Sequence, residues 1–274
     1  MTKVSSHLPR PPVLVAVRLA DARGTNAAST LRDVAAVFRR FGLTPAVELV
    51  LEAGEPPPAP TTGLDVAVWG LRAHIHELVQ EREALDSGPA DPTVEDPPAR
   101  RMAYLRSLHA RRLVYALPAD AAELGSAARA RELGRRLDGV AARFQGQGFR
   151  LGLALAPHAV ERVDSLVALA TQITSPAFFL ELRSEDLPDL LSDGWGRALA
   201  PLVRQLRVEV ASEAGGQTTA VLSGLPQASG ALPLLEALVL VPSGSATTAA
   251  LQETLQKLLA RNCVQGLSPR PVLP

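Results

Sequence analysis

Lysine is almost missing from this chain. Of 28 basic residues in 274, only Lys3 and Lys257 are lysine, and isoleucine is as scarce, at Ile75 and Ile173 alone. Arg, Ala, Leu, Val and Pro fill the gaps, as a GC-rich genome dictates, so the arginine count by itself carries no argument for phosphate binding. Net charge is also missing. The 28 basic residues balance 28 acidic ones, which removes the basic excess that nucleic-acid binding normally leaves. A single cysteine, Cys263, excludes an internal disulfide and a cysteine zinc cluster, and reads as a core-packing thiol. No apolar run approaches the ~20 residues a membrane span requires. The start, MTKVSSHLPRPP, has no hydrophobic h-region, which predicts a cytoplasmic protein with no nucleic-acid or membrane partner. Three signature loops are absent as well. The segment after the first apolar run reads RLADARGTN, not G-x-G-x-x-G; there is no P-loop; and Ser223 in LSGLP lacks the context of a nucleophile elbow.

What is present is a 47% hydrophobic chain, too apolar and too weakly charged for disorder. Short Val/Leu-rich runs alternate with stretches of helical periodicity. The runs lie at 13–18, 46–51, 65–69, 112–117, 149–155, 178–182, 207–211 and 237–241. Helices are predicted at 27–41, from Arg72 through Glu83, and at 98–110, 121–146, 159–172, 194–205 and 246–262. Continuous apolar strands are those of a parallel sheet covered on both faces. Eight such units in ~250 residues predict a closed (β/α)8 barrel of the α/β class rather than a doubly wound sheet. The expected organisation is a leader at 1–12, the barrel at 13–262 and a tail at 263–274. AGEPPPAPTTG, after the second strand, reads as a Pro-rich loop in place of a helix. That side of the barrel is then less covered, which favours a homodimer or protein contact there.

The order of pieces carries a resemblance. LHARRLVYALP, ARELGRRLDGVAARFQGQGFRLGLALAPH, SPAFFLELRSEDL, RQLRVEVASE and LPLLEALVLVP follow one another as do the strands and helices of the sugar phosphate isomerase/epimerase superfamily, the xylose isomerase-like TIM barrels. TLRDVAAVFRRFGLTPAVELVL is similar to the family's first helix and second strand. The resemblance implies a site at the C-terminal strand ends, where carboxylates and a histidine hold a divalent metal. This chain departs from that pattern. Ala156, Arg183, Asp186, Glu209, Ser212 and Val241 stand at the expected ligand positions. Ala and Val cannot bind a metal, and an Arg cation would repel one. The resemblance therefore implies no metal and no cofactor.

The remaining candidates gather at the strand ends. His158, after strand five, is a candidate acid/base. Arg183 and Glu209 are candidates for a buried ion pair that replaces the metal's charge. Alternation puts Glu181 on the same face as Arg183. Glu48, Glu181, Asp186 and Glu213 are candidate ligand-binding residues. His74 and His76 form an H-x-H pair, which would share one face on a strand but diverge on the helix expected there. Trp69 and Trp195 read as core or rim packing. Three function classes follow. One is a pseudoenzyme that binds a small polar or anionic molecule or a protein. Another is a metal-independent isomerase, epimerase or lyase acting on a sugar-like or carboxylated molecule. A barrel whose mouth is filled by side chains, in a structural role, is the third.

Overall fold

The computed structural model describes residues 14–19, 27–50, 66–74, 97–117, 122–155, 163–188, 196–210, 232, 234–242 and 248–260. Eight strands make a closed barrel in sequence order: β1 (Leu14–Leu19), β2 (Ala46–Val50), β3 (Ala67–His74), β4 (Arg112–Ala116), β5 (Arg150–Ala154), β6 (Phe178–Arg183), β7 (Val203–Val210) and β8 (Ala237–Pro242). Every neighbouring pair is parallel, and β8 closes on β1 with Leu14 opposite Ala237. Described helices are α1 (Ala27–Arg40), α2 (Pro97–Ser107), α3 (Ala127–Gln145), α4 (Val163–Ala170), α5 (Gly196–Leu199) and α6 (Thr248–Ala260). The expected leader, the tail and the Pro-rich loop after β2 lie outside the described residues.

Period-two alternation divides each strand between two environments. Leu113, Leu151, Leu153, Phe178, Leu180, Leu206 and Val208 point outward and join the main core with the helices. Val114, Ala154 and Phe179 form a separate cluster inside the barrel, and Ala46 and Val239 form another with Trp69 and Val241 packed against it. The longest described helix, α3, lays Ala130, Leu133, Leu137, Ala141 and Phe144 on the barrel side, a stripe of helical spacing. Ser126 caps its start by accepting from the Arg129 backbone N–H at 3.3 Å, as an N-cap serine does. Helices α1, α2 and α3 all end alike: one left-handed residue, then an N–H that reaches back five residues. Leu43 bonds Phe38, Ala110 bonds Leu105 and Phe149 bonds Phe144. The left-handed residue is glycine at Gly42 and Gly148, but His109 in α2, at φ 54°.

Two register shifts decide what enters the barrel. Along β2–β3 the shift falls between Val47 and Glu48, so Trp69 is the extra residue and Val50 pairs with Arg72. Along β6–β7 it falls between Leu180 and Glu181, so Arg204 is the extra residue and Glu181 pairs with Gln205. A bulge of one residue flips every later side chain to the other face. Without these shifts Arg72 and Gln205 would point outward; with them, both turn into the barrel.

Two sequence expectations are corrected. The predicted helix after strand three does not begin at Arg72, because pairing with β4 continues to His74 opposite Ala116. Of the predicted 194–205 helix, the described residues show only the four of α5, and β7 starts at Val203. In β7, Leu206, Val208 and Val210 pack outward while Gln205, Arg207 and Glu209 alternate with them.

Candidate functional site at the C-terminal mouth of the barrel

Inside the barrel four polar side chains from four strands meet. Arg72 on β3 donates from Nη1 to Glu181 Oε1 on β6 at 2.8 Å. The same Nη1 stands 3.9 Å from Glu48 Oε1 on β2. Gln205 on β7 bridges the two carboxylates with one amide nitrogen, donating to Glu181 Oε2 at 2.6 Å and to Glu48 Oε2 at 3.1 Å. All four residues are buried. The guanidinium thus lies between two carboxylates and neutralises one charge, while the amide fixes their spacing. Gln205 Oε1 is buried without a hydrogen-bond partner among the described residues, an unmet acceptor that costs free energy unless something donates to it.

Further along the strands comes the mouth. Arg183 closes β6 and sits directly opposite Arg207 of β7. Like charges directly opposed repel, and carboxylates separate them. Arg207 Nη2 donates to Glu209 Oε1 at 2.6 Å, and Arg183 Nη2 stands 3.7 Å from that same oxygen. Arg183 donates its hydrogen bond instead to Glu185, in the short 3-10 turn Ser184–Asp186. Arg183 is largely covered, whereas the Glu209 and Glu185 side chains are 38% and 46% exposed. The Nε atoms of Arg183 and Arg207 are both buried without a hydrogen-bond partner among the described residues.

Several expected roles change accordingly. Arg183 and Glu209 stand at ion-pair distance as expected, 3.7 Å apart, but Glu209 is part-exposed; a fully buried pair, Arg72 with Glu181, lies deeper in the barrel. Glu48 and Glu181, expected to line the mouth, lie below it and are committed to Arg72 and Gln205. Asp186 is part-buried in the 3-10 turn beside Glu185. Val241 packs against the Ala46–Val239 cluster. Trp69 stacks on the Arg112 guanidinium, 4.1 Å from the ring centroid. His158, Glu213, His76, Trp195, Ala156, Ser212, Ser223 and Cys263 lie outside the described residues, as does the side chain of His74. Among the described residues, no three His, Cys, Asp or Glu side chains gather in a way that could hold a metal ion. No described helix is long and apolar enough to cross a membrane.

Arg72 and Gln205 were missed because both fell at misread strand ends. A signal was available in VRQLRVEV, where Leu206, Val208 and Val210 alternate with polar residues.

No protein-family model and no curated protein sequence matches the chain. Solved structures do. One similar fold is a sugar phosphate isomerase/epimerase from Parabacteroides distasonis, at TM-score 0.59 and 9% identity, covering 96% of this chain and 98% of that one. Another is a xylose isomerase-like TIM barrel protein from Mycobacterium smegmatis in complex with magnesium, at TM-score 0.54 and 13% identity over 91% of this chain and 97% of that one. A third is the probable 3-DHS dehydratase involved in petrobactin synthesis from Bacillus anthracis, at TM-score 0.55 and 9% identity, covering 90% and 98%. The fold is therefore that of the xylose isomerase-like TIM barrels.

Proposed function

We propose that this chain is a metal-independent barrel of the sugar isomerase/epimerase fold that binds a small polar, anionic molecule at its C-terminal mouth in a pseudoenzyme role. The observation that carries the reading is Arg72 between Glu48 and Glu181. A divalent cation does not fit there. Arg72 already pairs with Glu181 and stands 3.9 Å from Glu48, and the Gln205 amide donates to one oxygen of each carboxylate. Metal ligands must offer free lone pairs. Arginine supplies fixed positive charge without a metal and cannot be deprotonated in a protein.

The binding half of the reading rests on Arg183 and Arg207. Their facing guanidinium groups and unpartnered Nε atoms are donor capacity suited to a carboxylate or phosphate. Glu185 is the exchangeable partner, since an exposed ion pair contributes little and yields readily to a better one. A cytoplasmic location belongs to the same proposal.

The test is a thermal melt of wild type and Arg183→Ala with glucose 6-phosphate and with citrate. The reading expects a ligand-dependent rise in Tm for wild type and none for the variant, with the unliganded Tm nearly unchanged. Turnover of a sugar phosphate by metal-stripped wild type, abolished in Glu181→Gln, would favour metal-independent catalysis instead.

A further inference from the structure

The opposite end of the barrel carries a second concentration of charge. Arg112 and Arg150 are the first residues of β4 and β5 and stand directly opposite each other. Arg204 lies at the start of β7, and Glu236 immediately precedes β8. All three arginines converge on Glu236. Arg150 Nη1 donates to Oε2 at 2.6 Å, Arg204 Nη1 donates to Oε1 at 2.8 Å, and Arg112 Nη2 donates to Oε2 as well. Three guanidinium groups against one carboxylate leave two positive charges over.

Arg112 is held rigidly. Its guanidinium lies 4.1 Å from the Trp69 ring centroid and 5.1 Å from that of Phe179, two cation–π contacts that restrain the donor fork. Its side chain is only 7% exposed, and Nη1 is buried without a hydrogen-bond partner among the described residues, as is Arg204 Nε. Burial pulls the Arg112 guanidinium below its ordinary range, against the raising influence of Glu236. The cluster also reaches solvent, because the Arg150 and Glu236 side chains are 37% and 25% exposed.

We propose that Arg112, Arg150 and Arg204 form a binding site for a phosphate group at the N-terminal end of the barrel. A phosphate group carries about −1.5 to −2 at pH 7, which matches the charge left over, and arginine forks recognise its oxygens in pairs. The site shares no residue with the mouth, so it stands or falls independently of the function proposed above.

The experiment is a thermal melt of the full chain against inorganic phosphate, at ionic strength held constant with chloride. The wild-type Tm rises and saturates. Arg150→Gln weakens the phosphate affinity at least ~10-fold, the loss of one charge-assisted bond, while Arg135→Gln, at an exposed arginine of α3, leaves it unchanged. Glu236→Gln removes the internal competitor, so its Tm depends more steeply on phosphate than that of wild type. This arm stands even if Arg150→Gln fails to fold. Glycerol phosphate, run in parallel, separates the sources: a tighter response than to phosphate points to a phosphomonoester, an equal one to the free ion. No saturable shift in wild type and in Glu236→Gln overturns the proposal. So does a shift lost in Arg183→Ala but kept in Arg150→Gln.

Discussion

Arg72 and Glu181 form a buried ion pair inside the barrel, Nη1 to Oε1 at 2.8 Å, and Arg72 is turned inward by the register shift along β2–β3. Burying such a pair is no guarantee of stability, since desolvation offsets the attraction, but removing one partner strands the other charge. Arg72→Met is expected to lose about 3–5 kcal/mol of unfolding free energy. The double variant Arg72→Met/Glu181→Gln is expected to lose less than the sum of the singles. Urea denaturation of the three variants checks both statements; additive losses would mean the pair is not coupled.

Phe179 and Gly152 predict a packing contrast. A Cβ on Gly152 would stand 2.5 Å from Phe179 Cζ, whereas one on Gly139, exposed on α3, would meet nothing within 4 Å. Gly152→Ala is expected to cost about 1–3 kcal/mol through overpacking. Gly139→Ala is expected to gain up to about 1 kcal/mol, because alanine loses less backbone entropy in a helix. Thermal melts of the two variants should move in opposite directions.

Acid should unfold this protein partly through Asp138 and Glu236. Burial pushes both carboxyls up, but specific partners outweigh it. Asp138 Oδ1 accepts from the Ser175 and Thr174 backbone N–H groups at 2.7 and 2.8 Å, which holds its carboxyl below the ordinary value. For Glu236, the Arg150 bond and the Arg112 charge do the same. A carboxylate with a depressed folded-state pKa contributes stability above its unfolded value, near ~4. That contribution is lost as pH falls through the lower folded value. Unfolding free energy is therefore expected to fall from about pH 4 downward. Asp138→Asn should flatten that fall; an unchanged slope would remove Asp138 from the account.

The barrel was legible because its outward positions are plain. Runs such as RLVYAL and FFLEL need no context to read as buried parallel strands. The interior was less so. Arg72 and Gln205 enter only through bulges, and a bulge leaves no local mark in a single sequence. Reading strand three as ended before Arg72 put that residue on a helix, and the same error hid Gln205. The three arginines beneath were hidden for another reason. Each opens or closely follows a strand start, where an arginine ordinarily reads as a solvated end, and only closure of the barrel brings Arg112, Arg150 and Arg204 onto Glu236. The helix predicted at 98–110 ends at Ser107 instead, because His109 takes the left-handed position that glycine usually marks.

We propose that arginine, not a metal, supplies the positive charge inside this barrel. Elemental analysis of the purified chain, paired with thermal melts in added magnesium, manganese, cobalt and zinc, decides between the two. A native-state metal site would raise Tm by mass action. On that proposal, no stoichiometric metal and no metal-dependent rise in Tm are expected. About one metal per chain, raising Tm and lost in Glu48→Gln or Glu181→Gln, would contradict it.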